Sequence, residues 1–153
     1  MHRNGALWYA YPIAKNFGSG DVSAIRWVQI DVSNWPNSVS YIQDSIFGAD
    51  GKWSFFPALM VNAADSVAMV FARSSASEFA SMYYTGRLGT DPPNTLRSSV
   101  LIKAGTATLN IIDNRGRNRF GDYAGAALDL NDGSFWLFGE VFVHGVNSSS
   151  IAH

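Results

Sequence analysis

The chain has 153 residues, 47% hydrophobic and 14% aromatic with only 15% charged, well under the roughly 25% charged of ordinary soluble domains, which excludes disorder and allows a real core. Eleven basic against twelve acidic residues leave a net charge of -1, so no overall field draws in nucleic acid or an anionic membrane. Without cysteine there is no disulfide and no thiolate metal site, and the apolar runs Phe55 to Val61 and Val67 to Ala72 are far shorter than the roughly 20 residues a membrane helix needs.

The start, Met1-His2-Arg3-Asn4-Gly5, lacks the basic and then apolar layout of a signal peptide. A soluble chain is expected, either intracellular or with its true N-terminus further upstream. Leu7-Trp8-Tyr9-Ala10-Tyr11 with Pro12-Ile13 reads as a first strand and Ala24 to Val32 as a second, separated by the Gly- and Ser-rich loop Lys15 to Asp21. Ser38 to Phe47 is a third, ending in Gly48-Ala49-Asp50-Gly51, where Asp-Gly supplies the positive φ of a tight turn. Four more strands follow, at Phe55 to Asn62, Ser66 to Ser74, Ser81 to Leu88 and Ser98 to Ala104. Thr106 to Ile112 reads as a short strand or an irregular bridge. Tyr123 to Leu130 and Ser134 to Val143 form a last hairpin around Asn131-Asp132-Gly133, and beyond it Gly145, Asn147 and three serines read as a tail. Ser77 to Tyr83 could make a helical turn, but its composition favours strand and turn.

Leu59-Met60-Val61-Asn62-Ala63-Ala64-Asp65 lies over Ala126-Ala127-Leu128-Asp129-Leu130-Asn131-Asp132, a repeat spaced by about 67 residues and compatible with one propeller blade carrying long loops. The expected fold is all-β, with antiparallel four-stranded meanders as blades of a partial β-propeller. Of about three blades the outer two are incomplete: residues 5–50 an incomplete blade, 53–112 a full one, 119–143 an incomplete one and 144–153 a tail, within one domain. Such an array leaves unpaired edges and uncovered faces, so self-association through open blade edges, or a longer parent chain, is expected.

The runs Phe56-Pro57-Ala58-Leu59-Met60-Val61-Asn62, Val70-Phe71-Ala72-Arg73-Ser74-Ser75, Tyr84-Thr85-Gly86-Arg87 and Arg119-Phe120-Gly121-Asp122-Tyr123-Ala124-Gly125, with Phe135-Trp136 and Glu140, resemble the C-terminal part of bacterial sialidase-like β-propeller proteins. Leu7-Trp8 and Ala24-Ile25-Arg26-Trp27 resemble strands of the preceding blade, so the likeness spans most of residues 7–140. It implies a propeller fold and a secreted or surface-exposed protein, mostly of a kind without assigned activity. Sialidases carry Asp-box turns of the form Ser/Thr-x-Asp-x-Gly-x-Thr-Trp. Asp50-Gly51-Lys52-Trp53 and Asp132-Gly133-Ser134-Phe135-Trp136 depart from that form, which argues against sialidase activity.

A sialidase-type site needs three arginines on a carboxylate, a Tyr nucleophile tuned by a Glu, and a general acid, because a fork of guanidinium donors grips a planar anion. Arg26, Arg73, Arg87 and Arg119 lie on or beside strands, with Tyr84, Tyr123, Glu78, Glu140 and Asp122 available. The ligand-binding candidates are Arg119, Asp122, Tyr123, Arg87, Tyr84 and Glu140. The plainer expectation has Asp122 accepting backbone hydrogen bonds at a strand entry while Gly121 and Gly125 permit close packing. Arg115 to Arg119 is expected to be a solvated loop, not a nucleic-acid contact. Trp8, Trp27 and Trp136 are expected in the core, and Trp35 and Trp53 are candidates for stacking on sugars. Asp129, Asn131 and Asp132 lack the distal Glu of a calcium loop and read as a hairpin turn. No phosphate loop, dinucleotide fingerprint, His-Glu-x-x-His or Gly-x-Ser-x-Gly is present, so no cofactor or metal is expected and the enzyme question leans to no. The leading reading is a non-catalytic recognition or scaffold module for a carbohydrate or protein ligand. Its rivals are a carbohydrate-active hydrolase with a site shared across blades, and a truncated propeller fragment without independent function.

Overall fold

A computed structural model of the chain describes residues 1–108, 112–120, 123–143 and 146–152, with side chains in the last segment described at 151 and 152. Eleven described strands form three antiparallel sheets. Sheet 1 contains β1 (His2–Arg3), β2 (Ala6–Asn16), β3 (Asp21–Asp31) and β4 (Ser40–Phe47) in that order. Sheet 2 contains β5 (Lys52–Val61), β6 (Val67–Ser75), β7 (Glu78–Arg87) and β8 (Val100–Lys103). Sheet 3 runs β9 (Gly125–Leu128), β10 (Phe135–Val143) and β11 (Val146–Ala152), with β10 central. None of the sheets closes on itself, and the described residues contain no helix, hence no helix long and apolar enough to cross a membrane.

The strand readings hold in outline. Two details differ. Sheet 1 gains a fourth, two-residue strand, because Met1 to Arg3 fold back so that Met1 and Trp8 exchange backbone hydrogen bonds at 2.8 and 2.6 Å. The supposed tail is strand β11, paired with β10 from Leu137↔Ala152 to Val143↔Val146. A run of serines is a poor strand by propensity, but a ladder to a neighbouring strand satisfies backbone groups whatever the side chains are. The stretch 109–111 lies outside the described residues, and Ile112 and Asn118 form an isolated bridge across the loop between them.

Sheet 2 is sandwiched. Along β6 the unbroken apolar run Val67-Ala68-Met69-Val70-Phe71-Ala72 is buried at every position, as expected for a strand covered on both faces. Val67, Met69 and Phe71 join clusters with Trp8, Trp27 and Ile25 of sheet 1, while Ala68 and Val70 pack with Leu137 and Val141 of sheet 3. Facing sheet 1, Phe71 stacks on Tyr83 at 6.1 Å and meets the edge of Phe47 at 5.6 Å. On the other face, a side chain at Gly139 would press on Met82. The long connection from β7 to β8 is anchored to sheet 1, where the Asn94 amide donates to Gln43 and the Asp44 amide to the Asn94 side chain, at 2.9 and 2.8 Å. Buried Gln43 in turn donates to Gln29 at 2.6 Å.

Past Trp8, where the pairing with Met1 to Arg3 ends, β2 is an edge among the described strands; β5 and β9 are likewise edge strands of their sheets. β5 packs against β2, β3 and β9, so the inner edges of all three sheets meet around it.

Candidate functional site

The pairing of β5 with β6 slips between Phe55 and Ala58, leaving Phe56 and Pro57 as a bulge. Proline cannot donate to a ladder, so a bulge is where a strand can hold one. Phe56 sits at φ 51, a left-handed conformation that costs a bulky residue of order 1–3 kcal/mol. Bulges of this kind often re-aim side chains beside functional sites. Phe56 and Pro57 border an open cleft of about 280 Å³, completed by Ala10, Tyr11 and Pro12 of β2 and by Tyr123 and Ala124 before β9. Three aromatic rings and two prolines, from sheets 1 and 2 and the segment leading into sheet 3, thus line one hollow. Its volume approaches the lower end of the ~300–1,000 Å³ typical of ligand pockets.

Behind it lies a small cavity of about 10 Å³, bordered by Phe56, Met82, Phe120, Tyr123, Gly139 and Glu140 among others, with room for at most about one water. Phe55 wedges beneath, edge-on to Phe56 at 5.4 Å and to Phe120 at 6.2 Å. On the sheet 1 side Tyr11 stacks on Tyr9 at 5.6 Å. Tyr123 is 80% exposed, so its ring is available to whatever enters.

The five candidate residues that are described do not converge on one place, although Tyr84 and Arg87 border a common open hollow. Tyr123 and Glu140 share the small cavity. Arg87 and Tyr84 occupy positions of opposite parity on β7: Tyr83, Thr85 and Arg87 belong to the face toward sheet 1, and Tyr84 to the other. Arg87 is 6% exposed, and its Nη2 donates to the Asp91 carbonyl at 2.6 Å while its buried Nε has no partner among the described residues. It secures the β7–β8 connection. Arg119 is exposed, and its charge adds a lesser contribution to lowering the Asp113 carboxyl, which is held down chiefly by hydrogen bonds from the Arg117 backbone and side chain. Asp122, with Gly121, lies outside the described residues.

Four other arginines each hold a carboxylate. Arg26 grips Asp44 with both Nε, at 2.7 Å, and Nη2. Arg97 holds Asp91 through two contacts of 2.9 Å, and Arg117 holds Asp113 at 2.8 and 3.0 Å. Hydrogen bonds from these arginines hold the Asp44 and Asp91 carboxyls below their ordinary value. Arg73 holds Glu78 at 3.0 and 3.2 Å, lies 3.6 Å over the Tyr83 ring and donates to Ser99. The Tyr83 hydroxyl donates to Glu78. Burial first, and then that bond to Glu78, raise the Tyr83 pKa, the opposite of what a nucleophilic tyrosine needs. Guanidinium groups committed in this way do not form the three-arginine fork of a sialidase-type site.

Trp8 and Trp27 are buried as expected, but Trp136 is 43% exposed, because it alternates with the inward Leu137 on β10 and falls on the outer face of sheet 3. Trp35 is 71% exposed and Trp53, in β5 and not in a loop, 39%. The Asp129 turn is self-contained: its carboxylate accepts from the Asn131 amide and its carbonyl from the Gly133 amide, both at 2.9 Å. Sequence reasoning passed over Phe56 and Tyr11. A proline within a strand pattern, in Phe55-Phe56-Pro57, was the signal that marked the bulge.

No family model, no curated protein and no solved structure matches the chain.

Proposed function

We propose that this chain is a non-catalytic recognition module, its three sheets arranged as blades of a β-propeller segment and its ligand seated in the cleft between Tyr11, Phe56 and Tyr123. The observation that carries the reading is the Phe56–Pro57 bulge, where a strained aromatic residue borders a hollow shared by sheets 1 and 2 and the segment leading into sheet 3. Rings and prolines offer flat apolar faces with few donors, suited to a sugar ring or an extended peptide. The resemblance to sialidase-like propellers favours the sugar.

Titration calorimetry against a panel of oligosaccharides and proline-containing peptides tests the reading. A ligand found in this way is expected to lose at least about tenfold in affinity to Tyr123→Ala, equivalent to about 1.4 kcal/mol. Tyr123 is 80% exposed, so the variant folds as the parent does. Unchanged affinity in that variant would remove the cleft as the site.

A second reading, a carbohydrate-active hydrolase, is favoured by one observation: Tyr123 and Glu140 border the same small cavity. It requires release of fluorogenic aglycones that disappears in Tyr123→Phe and in Arg119→Ala.

A further inference from the structure

Sheet 2 is covered on both faces, but sheets 1 and 3 are covered on one face each, and each uncovered face carries exposed apolar side chains among its described residues. On sheet 1 the alternation that buries Trp8 and Trp27 turns Leu7 and Tyr9 outward, and the register places Ile46 beside Arg26 on the same side. Leu7 is 39% exposed, Ile46 40% and Tyr41 60%. On sheet 3 the residues Leu137 and Val141 face sheet 2, which turns Trp136 and Phe138 outward. Ile151 pairs with Phe138 and is 67% exposed.

The area points the same way. A compact monomer of 16.7 kDa exposes about 7,600 Å² by the scaling of surface with mass, whereas this chain exposes 8449 Å². The excess is about 800 Å², comparable with what one partner covers in a standard specific interface. Within the chain, sheet 1 packs on sheet 2 and sheet 2 on sheet 3 in sequence order. The stack is directional: what would continue these interfaces beyond sheet 3 is another sheet 1. Propellers close with about 4–8 blades, and units of three reach that range only as a pair.

We propose that two copies of this chain associate head to tail, the outer face of sheet 1 of each against the outer face of sheet 3 of the other, closing a ring of six sheets. The proposal rests on the blade reading given above. It also bears on the cleft. Tyr11 lies on the outer face of sheet 1, so the partner's sheet 3 arrives beside the ligand and completes its enclosure. The contact is heterologous but occurs twice, which gives a closed dimer with no free apolar face.

Light scattering behind a sizing column, on the full chain at tens of micromolar, is expected to give a discrete species of twice the chain mass. Ile46→Lys and Ile151→Lys, each at an exposed position, should each shift it to monomer with an unchanged circular dichroism spectrum. Mixing the two variants should restore a dimer, since one intact pair of faces remains between them; a face-to-itself dimer would not be rescued. A monomeric parent, an open polymer, or a dimer indifferent to both substitutions would overturn the ring. If the parent is monomeric, small-angle scattering that fits the three-sheet stack removes the ring alone, and scattering that does not removes the blade reading with it. Calorimetry on the same preparations separates the two proposals: a monomer that still binds through Tyr123 leaves the cleft standing, and a dimer that binds nothing removes the cleft but not the ring.

Discussion

Trp8→Ala is expected to lower the stability of the chain by about 3–5 kcal/mol, the usual cost of emptying a large aromatic site in a core. Trp8 is fully buried, stacked on Trp27 with centroids 6.4 Å apart and planes 4° from parallel, in the cluster that joins β2 and β3 to Val61 and Val67 of sheet 2. Removing it weakens the packing of sheet 1 on the central sheet, not merely one contact within a sheet. Small domains have only about 5–15 kcal/mol in total, so the variant should unfold at a much lower urea midpoint, with a visible unfolded fraction at room temperature. Trp8→Phe provides the control. The Trp8 indole nitrogen is buried without a hydrogen-bond partner among the described residues, and an orphaned buried donor costs about 1–3 kcal/mol. Phenylalanine removes that donor while keeping most of the ring, so its cost should be less than half that of alanine. Equal midpoints for the alanine variant and the parent would mean that sheet 1 is not held through this cluster.

The fold was legible where side chains dictate it. Six consecutive apolar residues in β6 mark a strand with no solvent face. It was illegible where the backbone dictates it. Strand β11 contains Ser148-Ser149-Ser150, which carry no apolar period, and its place is set by the free edge of β10. The described candidate residues lie apart for a related reason. Sequence can nominate arginines, but whether one is free depends on carboxylates brought in by register. Asp44 reaches Arg26 because β4 pairs with β3, with Ile46 and Asp44 flanking the Arg26–Val28 stretch. Glu78 reaches Arg73 across the β6–β7 hairpin. Strand parity separates Tyr84 from Arg87, which share a short motif but not a face. What the residues did offer, a proline within a strand, was the pointer to a cleft shared by sheets 1 and 2 and the segment leading into sheet 3.

Glu78→Gln is expected to destabilise the chain by roughly 1.5–3 kcal/mol at neutral pH, the scale of hydrogen bonds to a charged group. The Glu78 side chain is 19% exposed and the Arg73 side chain 17%, so solvent screens the pair only in part. The carboxylate accepts from two nitrogens of Arg73 and from the Tyr83 hydroxyl, with Lys52 at 4.0 Å. Glutamine keeps the shape and one acceptor, but it turns an amide donor toward a guanidinium and removes the charge that balances Arg73 over the Tyr83 ring. The loss should depend on pH. Burial pushes the Glu78 carboxyl up, but the hydrogen bonds from Arg73 and Tyr83, with the charges of Arg73 and Lys52, outweigh it and leave the pKa below its ordinary 4.5. A carboxyl depressed by folding contributes stability that is fully present above its unfolded value and is lost as pH falls through the folded one. Asp44, Asp91 and Asp113 are shifted in the same direction, so both proteins weaken in acid. The difference between them isolates Glu78. Urea midpoints measured from pH 7 down to 3 should show a gap between parent and variant that is constant above about 5 and closes below the ordinary carboxylate value. A gap that persists unchanged to pH 3 would mean that the glutamine acts through shape alone and that the Arg73–Glu78–Tyr83 contact carries no net charge stabilisation.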